Sequence, residues 1–314
     1  MQTSTAAFTS EDQQQIHYHY WLPAKGTPVR AILQIVHGMA EHAARYARFA
    51  ALLCERGYAV YASDHRGHGR TAGTPEKVGY FSDKNFWEST LKDLKAFRQL
   101  AQEKHPKVPI FLFGHSMGSL LSRDWISRSG GLPAGVILSA TAGDPGALLN
   151  SLGLLIAKSA AAIRGRQRRN ALLNTLTFGK FNQSFRPNRT TFDWLSRDDA
   201  EVDKYVADPY CGPVFTTGFF VDLLGGVQRI NQSKTYDATP DQLPILLIAG
   251  ERDPVGDMGE GVRQVYEAYR KVGVQDVVCK LYPQARHELL NETNREEVVN
   301  DLLNWMEERL RKMA

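Results

Sequence analysis

Pro109-Ile-Phe-Leu-Phe-Gly-His-Ser-Met-Gly-Ser-Leu-Leu121 decides how the rest of the chain is read. The apolar run Pro109–Phe113 has the length and composition of a buried strand, and Met117–Ser129 carries a helical pattern. Between them Ser116 is flanked by Gly114 and Gly118. A serine between two glycines, on a turn from strand to helix, lifts its hydroxyl out of the carboxyl edge of a sheet for nucleophilic attack. Such a turn strains the backbone at the serine. Side chains at 114 and 118 would collide with neighbouring chain, so only small residues fit there.

Outward from this turn, apolar runs alternate with helical patterns. Ala31–Val36, Tyr58–Ala62, Ala134–Ser139, Pro244–Ala249 and Val277–Tyr282 read as further strands. Ala43–Glu55, Asn85–Glu103, Gly259–Val272 and Asn294–Lys312 read as helices between and after them. Near-continuous Val, Ile and Leu in strands that alternate with helices predict an α/β fold, with a mainly parallel central sheet covered on both faces. Ala6–Ser10 and Gln15–Trp21, joined by a polar tetrapeptide, predict an antiparallel hairpin at its edge.

The alternation stops between about residues 143 and 238. An insertion there would lie over the carboxyl ends of the strands, where ligands bind in such folds. The predicted organisation is therefore a core of residues 1–142 and 239–314 with a largely helical cap over 143–238. Within the cap, Ala147–Ile163 is apolar but interrupted by Asn150, Ser151, Lys158 and Ser159, which argues against a membrane span. It suits either an ordinary amphipathic helix packed on the core or transient contact with a membrane surface. In the second case Arg164-Gly-Arg-Gln-Arg-Arg169 would face anionic headgroups.

A serine hydroxyl needs a base to take its proton. Among nine histidines, His287 follows the last predicted strand, in a loop that returns to the same sheet edge as Ser116. An acid that orients the ring is expected between the serine and the histidine in the sequence. Asp253 lies just beyond the strand Pro244–Ala249, with Asp257 and Glu251 as alternatives. The developing oxyanion needs two donors. One is the Met117 backbone N–H; the other, from the loop His37-Gly-Met-Ala-Glu-His42, is the Met39 N–H, with Gly38 letting the backbone pass close to substrate. His37 is expected to brace that loop. Ser63-Asp-His-Arg-Gly-His-Gly-Arg-Thr71 is basic but lacks a phosphate-loop signature, so it reads as a structural turn.

The net charge of +4 is small and dispersed, which disfavours nucleic acid as a partner. Met1–Gln15 is polar, so no secretory leader is expected. Three cysteines, Cys54, Cys211 and Cys279, none in a C-x-x-C spacing, suggest reduced thiols in a cytoplasmic protein, peripheral at the membrane at most. No cofactor and no metal are expected.

His37-Gly-Met-Ala-Glu-His42, Asp64-His-Arg-Gly-His-Gly69 and Gly114-His-Ser-Met-Gly118, in that order and with Asp253 and His287 downstream, resemble the monoacylglycerol lipase and lysophospholipase-like family of α/β-hydrolases. Thr191–Asp198 and Tyr205–Gly212 resemble cap segments of its bacterial members, whereas Leu148–Lys180 matches no family pattern. The resemblance implies a cofactor-free serine carboxylester hydrolase acting on monoglycerides, lysophospholipids or similar single-chain esters, with an apolar acyl tunnel under the cap. Two other readings stand beside it. One is an aminopeptidase of the same fold, similar to proline iminopeptidase, in which Asp198, Asp199 and Glu201 would hold a free amine. The other is a ligand-binding receptor that has lost turnover.

Overall fold

The computed structural model describes residues 1–81, 85–128 and 132–313. Its strands are β1 (Gln2–Thr9), β2 (Gln15–Leu22), β3 (Ala31–Val36), β4 (Tyr58–Ser63), β5 (Ile110–His115), β6 (Gly135–Ser139), β7 (Ile245–Gly250) and β8 (Val277–Tyr282). They form one sheet in the order β1-β2-β4-β3-β5-β6-β7-β8. β2 pairs antiparallel with both β1 and β4, and every pair from β4 to β8 is parallel. The expected edge hairpin is therefore present, with its first strand beginning earlier than the apolar residues alone suggest.

The helices of the core are α1 (Ala47–Glu55), α2 (Phe86–Lys104) and α3 (Met117–Arg128). The predicted last residue of α3, Ser129, lies outside the described residues. The helix expected from Ala43 begins instead as a short 3-10 turn over Ala43–Tyr46, where the Ala43 N–H donates to Asp64 Oδ1 at 2.8 Å. Asn85 caps α2 by accepting from the Glu88 N–H at 3.1 Å. Alternate strand residues face opposite layers, as a period of two requires. Val36, Leu112, Val136 and Leu247 pack with Trp87, Leu91 and Leu94 of α2 and Leu121 of α3. Ile35, Phe111, Phe113 and Ile248 face the other way, onto Phe49 and Leu53 of α1.

Five helices lie between β6 and β7: α4 (Ala147–Arg164), α5 (Ala171–Phe178), α6 (Asp199–Ala207), α7 (Thr217–Ile230) and α8 (Ser233–Asp237). The last two are rooted in the core. Asp222 of α7 accepts from the Phe86 N–H at 2.8 Å, and Gly226 lies so close to the Trp87 indole that a Cβ would overlap the ring. Arg123 of α3 donates to Tyr236 Oη at 2.5 Å and to Asn231 Oδ1 at 2.8 Å. After β7 come α9 (Glu260–Lys271), whose Val262, Val265 and Tyr269 join the α2–α3 layer, and α10 (Arg295–Met313), whose Leu302, Trp305 and Met306 cover the α1 face.

α4 departs from its sequence reading in one respect. At 18 residues and a mean hydropathy of 1.3 it is long and apolar enough to cross a membrane, despite its polar interruptions. Asn150, Leu154 and Ala157 are buried, whereas Leu148 is 85% exposed and Leu155 62%. Of the polar interruptions only Asn150 turns inward; Ser151, Lys158 and Ser159 share the exposed side with Leu148, Leu149, Leu152 and Leu155. The basic cluster that follows is only partly free to meet headgroups. Arg166 pairs with Asp222 at 2.8 Å, and Arg169 donates to the carbonyls of Glu76 and Val78, both at 2.6 Å.

Candidate active site

Ser116 sits between β5 and α3 with φ +52°, a left-handed conformation that costs a non-glycine residue energy. The surroundings hold it there. Its N–H donates to the Ser139 carbonyl at 2.9 Å, tying the turn to β6. A Cβ on Gly114 would stand 2.6 Å from the Gly118 carbonyl oxygen and 2.8 Å from Ser119 Cα, and one on Gly118 would overlap the Val36 carbonyl. These neighbours are backbone and cannot step aside, which is the steric reason for both glycines.

Asp253 and His287, predicted from their positions after β7 and β8, meet across those two loops. The His287 Nδ1–H donates to Asp253 Oδ1 at 2.9 Å and Oδ2 at 3.0 Å, and both side chains are buried. Asp253, rather than Asp257 or Glu251, is the carboxylate that reaches the ring. It also accepts from the Val255 N–H at 2.9 Å, which fixes its orientation. With the Nδ1 proton committed to the carboxylate, the Nε2 lone pair is left for proton transfer. Burial pulls the imidazolium down, but the charge and hydrogen bond of Asp253 outweigh it and hold His287 above its usual 6.5. The ring lies 4.8 Å from that of His115, the residue before Ser116, and 4.9 Å from the Trp194 ring.

The loop after β3 runs alongside the serine: a Cβ added to Gly38 would lie 3.2 Å from Ser116 Cβ. Among the described residues neither the Met39 nor the Met117 amide N–H is taken by a protein acceptor. Their side chains join the apolar cluster of the α2–α3 layer, as expected of residues that contribute only backbone. His37 braces the loop on both sides. Its Nδ1–H donates to the Gly38 carbonyl at 2.7 Å, and its Nε2 accepts from the His65 N–H at 3.0 Å. The basic turn after β4 is likewise structural, since Asp64 accepts from the Arg70 N–H at 2.8 Å as well as from Ala43.

Sequence reasoning missed Glu41. Its Oε1 accepts from the Gly38 N–H at 2.6 Å and the Tyr46 hydroxyl at 2.9 Å, and its Oε2 from Arg45 at 3.0 Å. Arg45 in turn forks onto Glu288 at 2.6 and 2.7 Å. Burial would raise the Glu288 carboxyl, but Arg45 outweighs it and draws it down to about 2. Glu41 thus sets the angle of the peptide that precedes the Met39 amide. Glu41→Ala orphans the Gly38 N–H, a loss of about 1–3 kcal/mol. The expected result in steady-state kinetics is a kcat roughly 10- to 100-fold lower with KM little changed. An unchanged kcat would mean that the loop does not need this bond.

The insertion between β6 and β7 is stitched onto the site. The Glu288 N–H donates to the Leu195 carbonyl at 2.7 Å, and the Arg197 guanidinium meets Glu292 at 2.8 Å. The Ala40 carbonyl accepts from the Tyr205 hydroxyl at 2.9 Å and the Gly212 N–H at 3.1 Å. Leu173, Phe215 and Phe219 of the insertion are buried in the same cluster as Met117, with Met39, Ala142 and Phe178 packed against it. The three acidic residues considered for amine binding all have basic partners. Asp198 pairs with Arg295 at 2.8 Å, Asp199 with Arg189 at 3.4 Å, and Glu201 with Arg48 at 2.7 Å.

Residues 27–294 match the Hydrolase_4 family, described as serine aminopeptidase, S33. The chain is 31% identical to the monoglyceride lipase of Mus musculus over 306 residues, covering 95% of this chain and 89% of that one. It is 28% identical to the monoacylglycerol lipase of Mycolicibacterium smegmatis, covering 93% and 92% of the two chains. Among solved structures, a thermostable carboxyl esterase from Bacillus coagulans in complex with glycerol superposes with a TM-score of 0.90 at 29% identity, over 99% of both chains. The fold, the turn at Ser116 and these similarities agree: the chain belongs to the Hydrolase_4 family of α/β-hydrolases, alongside the monoglyceride lipases.

Proposed function

We propose that the protein is a serine carboxylester hydrolase that cleaves monoacylglycerols and similar single-chain esters through an acyl-enzyme on Ser116. His287 Nε2 takes the Ser116 proton as Oγ attacks the ester carbonyl, and Asp253 stabilises the imidazolium that forms. The Met39 and Met117 amides receive the oxyanion. His287 then returns the proton to the leaving glycerol oxygen, and water, deprotonated by the same ring, releases the fatty acid.

The observation that carries this reading is the buried Asp253–His287 pair, its ring 4.8 Å from that of His115 next to the left-handed Ser116, with apolar side chains of the insertion packed around Met117 and Met39. An acyl chain gains by entering such surroundings, at about 0.8 kcal/mol per buried methylene. Residues 143–238 act in this reading as a cap, anchored to the core through α7 and α8. The aminopeptidase alternative is disfavoured because each of the three carboxylates it would use, Asp198, Asp199 and Glu201, already has an arginine partner. The test is a kcat/KM comparison of monoacylglycerols, lysophosphatidylcholine, p-nitrophenyl esters and proline naphthylamide. A maximum on medium or long monoacyl esters supports the proposal, and preferred cleavage of the naphthylamide sinks it.

The cap also meets lipid surfaces in this account. Leu148, Leu152 and Leu155 fall at i, i+4 and i+7 along α4 and are all exposed, with Lys158 and Arg164 nearby on the same helix. Leu148→Asp combined with Leu155→Asp is expected to lower partition onto phosphatidylglycerol vesicles more than about tenfold, since each inserted leucine contributes roughly 1.5–3 kcal/mol. Turnover of a short water-soluble ester should not change. Vesicle sedimentation checks the first effect, and equal binding of variant and parent would exclude α4 as the contact.

A further inference from the structure

His42 lies 166 positions before Asp208, which shares one turn with Cys211, and folding sets one ligand atom of each of the three within 4.8 Å of the others. Among the described residues no other group of three His, Cys or carboxylate side chains meets that condition. We propose that these three residues bind one Zn2+ ion, which fastens the cap to the loop carrying the Met39 amide.

The donor set is what selects the ion. An imidazole nitrogen, a carboxylate oxygen and a thiolate sulfur suit a borderline-soft cation in a four-coordinate shell, with water as the fourth ligand. Mg2+ and Ca2+ require mostly oxygen and would gain little from the sulfur. The turn that carries two of the ligands is already built. The Cys211 N–H donates to the Asp208 carbonyl at 3.0 Å, and Asp208 Oδ1 accepts from the Tyr210 N–H at 2.9 Å. Oδ2 is thereby aimed at His42 Nε2, 2.8 Å away.

Ligation replaces that hydrogen bond. The ring proton moves from Nε2 to Nδ1, freeing the Nε2 lone pair, and the Cys211 thiol gives its proton to the buffer. Because the thiol must lose its proton to bind, uptake of the ion releases a proton. One carboxylate and one thiolate balance the two charges of the ion, leaving a neutral cluster. Arg45, whose charge acts on Cys211, is already matched by Glu41 and Glu288.

The position gives such an ion a consequence. His42 follows Glu41, which orients Gly38, while Asp208 and Cys211 lie within the Tyr205–Gly212 stretch that already holds the Ala40 carbonyl. A metal bond at this point ties cap and loop together more firmly than the present hydrogen bond.

The test uses the reduced, chelator-stripped full-length protein and Co2+ as a spectroscopic substitute for Zn2+. Expected are uptake of one equivalent, a thiolate-to-cobalt charge-transfer band, displacement by equimolar Zn2+ but not by excess Mg2+, and alkylation of Cys211 slowed roughly tenfold or more. Cys211→Ser should lose the band, His42→Gln should weaken binding, and Cys279→Ser should change neither. Persistence of the band in Cys211→Ser, competition by Mg2+, or no saturable uptake by the parent protein would overturn the proposal. No step of this test involves substrate, so its outcome is independent of the role given to Ser116.

Discussion

Ser116→Ala is expected to lower kcat on p-nitrophenyl and monoacylglycerol esters by about 10⁵- to 10⁶-fold, the scale on which serine hydrolases lose turnover without their nucleophile. The residual rate would come from substrate binding and the Met39 and Met117 amides alone. The fold should survive. The side chain removed is a single hydroxyl, and what holds the turn is the Ser116 N–H bond to Ser139 together with Gly114 and Gly118, none of which the substitution touches. Circular dichroism and thermal unfolding should therefore match the parent protein while the initial rate collapses. A variant retaining a tenth of the parent kcat would remove Ser116 from the chemistry.

The second large effect is expected from Asp253→Asn, at about 10⁴-fold in kcat. An asparagine can occupy the space of Asp253 but offers His287 an amide instead of a charge, and the ring loses both its fixed tautomer and its imidazolium partner. The pH profile adds a readout that a merely structural defect would not move. In the parent protein Asp253 holds His287 above 6.5, so the acid limb of kcat/KM, where the base becomes protonated, lies above pH 6.5. In the variant the burial that disfavours imidazolium remains while the opposing charge is gone, so the limb of the residual activity should shift to lower pH. Should Asp257→Asn prove the more damaging change, Asp253 would not be the orienting acid.

The contrast between what could be read and what could not follows from the range over which each residue acts. The turn at Ser116 is local: five consecutive residues report a strand, a strained turn and a helix. Asp253 and His287 could be picked out because a parallel sheet brings the ends of consecutive strands to one edge, so chain order stands in for space. Glu41 was invisible. It is one carboxylate among 34 acidic residues, and its importance lies in a bond to a backbone amide three residues earlier. Trp194 covers His287 across almost a hundred residues, with no periodicity to announce it. The pairing of His42 with Asp208 spans 166 positions, so a search for ligand spacings along the chain finds nothing there. Composition described α4 as apolar but not which side it shows. The side is set by Asn150, Leu154 and Ala157 turning inward. The arginines after it read either as a solvated basic turn or as a headgroup cluster, yet Arg166 and Arg169 pin the chain to Asp222, Glu76 and Val78.

The most direct measurement is to catch the acyl-enzyme. The protein is mixed rapidly with a medium-chain p-nitrophenyl ester, quenched in acid within the first turnover, digested and analysed by mass spectrometry. The account predicts a burst of nitrophenol and one acyl adduct, on the peptide carrying Ser116, absent from Ser116→Ala. Turnover with an adduct on another residue, or with Ser116 demonstrably unmodified throughout the burst, would contradict it.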